Sequence, residues 1–282
     1  MIEVEGIPQL RAPVVIAAFE GWNDAGEAAS AVVGHLAEVW NARPVAALDP
    51  EEYYDFQVNR PRVVVIDGQR RITWPTTRAL LAQQTGFGHD VVLIQGIEPS
   101  MRWRSYVVEL LDLARDVDAC LLVCLGALLA DVPHSRPFPV SVTSEDSQLV
   151  HRFNLEPSSY EGPTGIVGVL ADAAHQAAIP VLSCWASVPH YAAGSASPKA
   201  SLALLGRLEE LLDVAVPHGD LSELARSWER GVDRLAAKDQ EVADYVRTLE
   251  QAQDTADHPA ATGDAIARDF ERYLRRRGGE GM

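Results

Sequence analysis

The sequence predicts an α/β protein, a three-layer α/β/α domain around a mixed, largely parallel sheet, with a helical hairpin added after it. Three observations predict this. Near-continuous runs of Val, Ile and Leu recur between residues 14 and 186, the pattern of strands buried on both faces. Amphipathic segments of helical period fall between several of those runs, as expected when helices cover both sides of a sheet. From residue 220 onward no strand pattern remains. The chain therefore divides into an α/β domain over residues 1–218 and a helical extension over residues 219–282.

Residues 14–19 read as a buried strand, and 24–40 then carry Ala25, Ala28, Ala29, Val32, Val33, Leu36 and Trp40 at helical spacing. Further strands are expected at 45–48, 62–66, 91–95, 119–125, 138–142 and 181–186, and helices at 101–116, 164–178 and 198–214. The short runs and aromatics of 51–74 suit a hairpin or extra edge strands. In the extension, Leu221, Ala225, Trp228, Val232, Leu235, Val242, Val246 and Leu249 form a coiled-coil-like stripe, with Asp239 in one seam position. One long helix is expected there. Residues 251–263, with Asp257, Pro259 and Gly263, read as a loop, and Ile266, Phe270, Tyr273 and Leu274 as a short return helix closed by Arg275, Arg276 and Arg277. This hairpin should dock on the α/β body or on another subunit.

Composition narrows the function. The 282 residues are 47% hydrophobic and 23% charged, an ordinary globular balance. Lys and Arg number 24 against 40 Asp and Glu, a net charge of -16, which argues against a nucleic-acid binder because phosphate neutralisation needs a basic face. Glu3 and Glu5 stand where a secretory signal would carry basic residues. The longest nearly apolar run, 119–130, contains Gly126 and is too short to span a bilayer. A cytoplasmic protein without a membrane partner is expected. Cys120, Cys124 and Cys184 make neither a disulfide framework nor a close metal-binding pair. Cys120 and Cys124 share one face of the expected strand, so both should be small core residues.

In doubly wound sheets ligands bind beyond the carboxyl ends of the strands, so the loops after strands hold the candidate functional residues. The first loop carries Glu20, Asn23 and Asp24 with Gly21 and Gly26; Asn23 or Asp24 can cap the following helix. The second, between Ala130 and Pro137, places Asp131, His134, Ser135 and Arg136 between prolines that stiffen the backbone. The third holds Glu161, Gly162, Thr164 and Gly165 at a helix start, where Thr164 can cap and free amides can attract an anion. The fourth leaves a late strand and carries His190. Capping turns, rigid connectors and tight helix packing account for the same residues without a ligand. The sequence shows no nucleophile elbow, dinucleotide fingerprint or Walker lysine. No catalytic residue, metal or cofactor is assigned.

Four segments carry a resemblance: Phe19-Glu20-Gly21-Trp22-Asn23-Asp24-Ala25-Gly26, Leu128-Leu129-Ala130-Asp131-Val132-Pro133-His134-Ser135-Arg136-Pro137, Tyr160-Glu161-Gly162-Pro163-Thr164-Gly165 and Trp185-Ala186-Ser187-Val188-Pro189-His190-Tyr191. In order and spacing they resemble the PAC2 family, that of proteasome assembly chaperone 2 and its bacterial and archaeal relatives, most closely its actinobacterial branch. The resemblance covers residues 1–215. It implies a fold similar to purine nucleoside phosphorylases, homo-oligomers, and a non-enzymatic chaperone role with proteasome or other protein subunits as partners. Archaeal relatives can end in a hydrophobic-Tyr-x docking motif; this sequence ends Arg277-Gly278-Gly279-Glu280-Gly281-Met282, so docking by such a tail is not expected. Two readings follow: a binding or assembly protein without turnover, and alternatively an enzyme acting on a small polar or nucleoside-like ligand in a cleft at the strand ends.

Overall fold

The computed structural model describes residues 2–3, 6–83, 85–156, 158 and 160–257. In chain order its first half contains β1 (Ile2–Glu3), β2 (Val14–Glu20), α1 (Ala28–Val39), β3 (Arg43–Ala47), α2 (Pro50–Tyr53), β4 (Arg62–Ile66), β5 (Gln69–Thr73), β6 (Arg78–Ala82), β7 (Val91–Ile97) and α3 (Trp103–Asp116). The second half contains β8 (Leu121–Ala130), β9 (Val140–Thr143), α4 (Ser147–Phe153), α5 (Ile166–Gln176), β10 (Val181–Pro189), α6 (Pro198–Leu212), α7 (Leu221–Ala236) and α8 (Gln240–Asp257).

One sheet has the order β1-β3-β6-β7-β2-β8-β10-β9. Its four central strands, β7, β2, β8 and β10, are parallel, which puts their carboxyl ends on a single edge. Antiparallel strands flank this centre: β6, β3 and β1 on one side and β9 on the other. The strands β4 and β5 form a separate two-stranded hairpin.

Alternation along the central strands splits the core in two. Val14, Ile16 and Ala18 of β2 face α1 and α6, with Val32, Leu36, Leu204 and Leu208 packed against them. Val15, Ala17 and Phe19 face α3 and α5, against Tyr106, Leu110, Ile166 and Leu170. Closing off each such large side chain contributes about 1.5–3 kcal/mol, which is why apolar residues dominate both faces of the middle strands.

Several details differ from the sequence reading. The extension's stripe is carried by two helices, α7 and α8, because Asp239 is a cap: its Oδ1 accepts from the amides of Glu241 at 3.0 Å and Val242 at 3.4 Å. A short polar side chain that looks like a seam defect thus starts a new helix. Ala236 is buried where the stripe would place Leu235, which is 65% exposed. Residues 251–257 continue α8 instead of opening a loop. The expected return helix with Ile266, Phe270, Tyr273 and Leu274, and the arginines that close it, lie outside the described residues. Cys120 precedes β8 and is exposed, so it is no core residue; Cys124 and Cys184 are buried. β6 and the short helices α2 and α4 had no clear periodic signal. Among the described residues no helix is long and apolar enough to cross a membrane.

Candidate functional site

The carboxyl edge of the parallel strands holds most of the candidate residues, in two side-chain groups linked through the backbone, where the Ala127 amide of β8 donates to the Asn23 carbonyl at 2.8 Å and the Ser197 amide to the Gly26 carbonyl at 2.7 Å. The first forms around the ends of β2 and β7. Asn23 is buried and its Nδ2 donates to Glu98 Oε1 at 2.6 Å. The same carboxylate oxygen accepts from the Ile166 amide at 2.9 Å, so Glu98, just past the end of β7, caps α5. Thr164, exposed, makes no capping bond; the residue before α5 is Gly165, and that helix start is closed by Glu98. A side chain at Gly165 would collide with Asn23, so a glycine is required for this close approach. Asp24 caps α1 as expected, its Oδ1 accepting from Ala29 at 2.7 Å and Ser30 at 3.2 Å. Burial raises the Asp24 carboxyl above its ordinary range, and the bonds from Ser30 and Ala29 offset part of that rise.

Glu20 ends β2. Its carboxyl is also raised, first by desolvation and then by the charges of Asp24 and Glu27, with Arg62 acting in the opposite sense. It lines a cavity of about 650 Å³ that continues past Gln95 and Gly96 of β7 toward Arg60, Arg62, Thr73, Trp74 and Arg78. Packed against Gly96 is Thr77, whose Oγ1 bonds the Tyr54 hydroxyl at 2.8 Å and that of Tyr106 at 2.6 Å in a buried hydroxyl chain.

The second group forms around the ends of β8 and β10 and is roofed by the extension. His134 is 2% exposed. Its Nδ1 meets the Tyr191 hydroxyl at 2.8 Å, and its Nε2 meets Asp233 Oδ1 of α7 at 3.1 Å. Burial pushes the Tyr191 phenol up to about 12, so it stays a neutral hydrogen-bonding group. Lys199 of α6 donates to the His134 carbonyl at 2.5 Å and to Glu229 of α7 at 2.6 Å. Ser135 donates to Glu250 of α8. Arg136 makes a fork with Asp254, Nε and Nη2 each at 2.8 Å. Asp131 accepts from the Tyr245 hydroxyl at 2.9 Å, and His190 Nε2 lies 3.0 Å from both.

Two of the four loops therefore meet under α7 and α8, and their polar atoms are engaged by those helices. Glu161 is exposed and makes no hydrogen bond or ion pair among the described residues. The extension docks on the α/β body of its own chain. Among the described residues no three His, Cys, Asp or Glu side chains come together as metal ligands. The sequence reading missed Glu98, the acids of α7 and α8, and the arginines around the cavity. Only Glu98 had a signal, its position at a strand end.

The family model described as the PAC2 family matches residues 18–236, most of the chain and every loop just described. The chain belongs to the PAC2 family. A PAC2 family protein from Streptomyces avermitilis is 55% identical, with a TM-score of 0.79 over 83% of this chain and 99% of that one. A proteasome-assembly chaperone homologue from Mycobacterium tuberculosis is 48% identical, with a TM-score of 0.75 and the same coverage. An archaeal proteasome activator from Pyrococcus furiosus shares the fold at 15% identity, with a TM-score of 0.63 over 83% of this chain and 99% of that chain. No curated protein matches the sequence. The PAC2 match ends at the last residue of α7, so α8 lies beyond it.

Proposed function

We propose that this PAC2 protein is a non-enzymatic binding protein of the assembly-chaperone type, cytoplasmic, with a second copy of itself as one partner and proteasome subunits as the others. One observation carries the reading. Asp131, His134, Arg136 and His190, the polar residues a catalyst at the strand ends would turn toward substrate, are held by α7, α8 and Tyr191. The relationship to a proteasome-assembly chaperone homologue at 48% identity supports the same reading. In it, residues 1–218 are the working domain and 219–282 an extension, of which α7 and α8 close part of its rim.

The surface that suits a second copy is the β4–β5 hairpin. Its outer face carries Val63, Val65 and Ile72, at 56%, 68% and 59% exposure, with Val63 paired to Ile72. A two-stranded hairpin is marginal by itself and gains stability when such a face is covered. Arg60, Arg62, Arg70 and Arg71 against Asp67 make this segment basic in a chain of net charge -16, so the acidic body of another copy complements it.

Light scattering after size exclusion tests the self-association. The wild type should elute as an oligomer, and Val65→Glu together with Ile72→Glu should shift it to monomer with an unchanged circular dichroism spectrum. A wild type that is monomeric at about 100 μM, where contacts of micromolar affinity are filled, contradicts the hairpin's role. Co-sedimentation with purified proteasome α and β subunits tests the partner class; sedimentation of both subunits free of this protein at the same concentration contradicts it.

A further inference from the structure

We infer that the cavity between the ends of β2 and β7 and the base of the β4–β5 hairpin binds a small organic oxyanion, its phosphate or carboxylate held by Arg60, Arg62 and Arg78. The inference goes beyond the assembly reading and does not rest on it.

What marks the cavity out is the convergence of three arginines on one concavity. Elsewhere Arg136, Arg102, Arg115, Arg207 and Arg247 are each taken up by an ion pair with a carboxylate. Arg60, Arg62 and Arg78 line the cavity together; among the described residues no carboxylate forms a close ion pair with them, and the charge of Arg62 acts on Glu20 at longer range. A guanidinium presents a planar fork of donors that fits a carboxylate or phosphate with two parallel bonds.

The backbone aims these groups. Arg62 and Thr73 are paired across the hairpin, and both line the cavity. Val63 and Ile72, the next pair, face the other way, as strand alternation requires. One face of the hairpin therefore walls the cavity while the other carries the apolar patch. Arg78 opens β6 next to Gln95 of β7, its partner in the ladder. The site lies beyond the carboxyl ends of β2 and β7, where open α/β sheets bind ligands. A volume of about 650 Å³ is in the range of small-molecule sites.

The acids in the cavity narrow the ligand. Glu20 and Glu27 also line it, so three cations face two carboxyls. A bare polyanion would meet repulsion at that end. The arrangement fits a molecule with one oxyanion end for the arginines and a hydroxyl or amino group for Glu20 and Glu27. Phosphate and carboxylate are the two sources of the oxyanion, and the experiment separates them.

Isothermal titration at low salt with inorganic phosphate, β-alanine and phosphoethanolamine tests the site. Phosphoethanolamine should bind the wild type with a Kd of about 1 mM or tighter, and phosphate more weakly. A preference for β-alanine over both would assign the oxyanion to a carboxylate. Arg62→Gln and Arg78→Gln should each weaken binding about tenfold, a loss of one guanidinium contact. Arg70→Gln, on the outer face of the same hairpin, should leave it unchanged. All three positions are exposed, and circular dichroism checks that each variant is folded. Absence of heat with every probe at 10 mM, about ten times the expected Kd, overturns the inference. Equal losses in Arg70→Gln and Arg62→Gln also overturn it, because they would show a diffuse charge effect in place of a site.

Discussion

The two halves of the sheet's carboxyl edge use the same kinds of residue in opposite ways. Around β8 and β10, carboxylate, imidazole and guanidinium groups are consumed by α7, α8 and Tyr191. Around β2 and β7, internal polar atoms are tied to one another through Glu98, while Arg60, Arg62 and Arg78 line an open cavity in which the charge of Arg62 acts on Glu20. The same strand-end position that serves for binding in other α/β proteins is here a docking seat on one side and a cavity on the other. Polar residues at strand ends therefore identify a rim, and the opposing surface decides what the rim does.

Removing the central group of each half sharpens the contrast. Glu98→Ala strips the acceptor from two buried donors, Asn23 Nδ2 and the Ile166 amide, and should cost about 3 kcal/mol in urea unfolding, since each unsatisfied buried group costs about 1–3 kcal/mol. His134→Ala removes one ring that bridges Tyr191 and Asp233 and should cost about 2 kcal/mol, with the loss concentrated in the seating of α7. If His134→Ala destabilised the chain more than Glu98→Ala, the roofed half would be the stronger half and the comparison would reverse.

A smaller effect separates the halves by pH. The folded-state carboxyl of Asp24 binds its proton more tightly than the unfolded one, whose ordinary value is 3.8. Its contribution to stability is therefore present at low pH and is lost as pH rises from that value through the folded pKa. Asp24→Asn keeps an acceptor for the Ala29 amide and has no charge to bury. Urea unfolding between pH 4 and 7, a range of about three units above the unfolded value, should show the variant gaining on the wild type as pH rises. Parallel pH profiles for the two proteins would contradict the buried carboxyl.

How much was legible in the sequence follows the range of the interactions. The central strands could be read because they are buried on both faces, and unbroken runs such as Val14, Val15 and Ile16 are the local trace of that burial. β6 could not, because Arg78-Ala-Leu-Leu-Ala has no β-branched residue and becomes a strand by pairing with β3 and β7. A strand read as ending at 95, before Gly96, leaves Glu98 out of the strand-end set. Three of the loops, after β2, β8 and β10, share one edge because parallel strands end together; the loop with Glu161 and Thr164 follows α4 and no strand, and reaches that edge at the start of α5. Their partners were not foreseeable: Arg136 meets Asp254, and His134 meets Asp233, through helices whose own pattern records only an apolar stripe. Asp239 shows the same limit locally, because one Asp reads equally as a seam defect or as a cap.

The claim that rim residues of β8 and β10 serve to hold the extension is tested most directly by hydrogen exchange, followed by mass spectrometry, on the wild type and on the double variant Arg136→Gln, Tyr245→Phe. The account predicts that the amides of α8 lose protection in the variant while those of β2, β7 and β8 keep theirs. Unchanged protection across α8 would contradict it, because the helix would then be seated by something other than the rim.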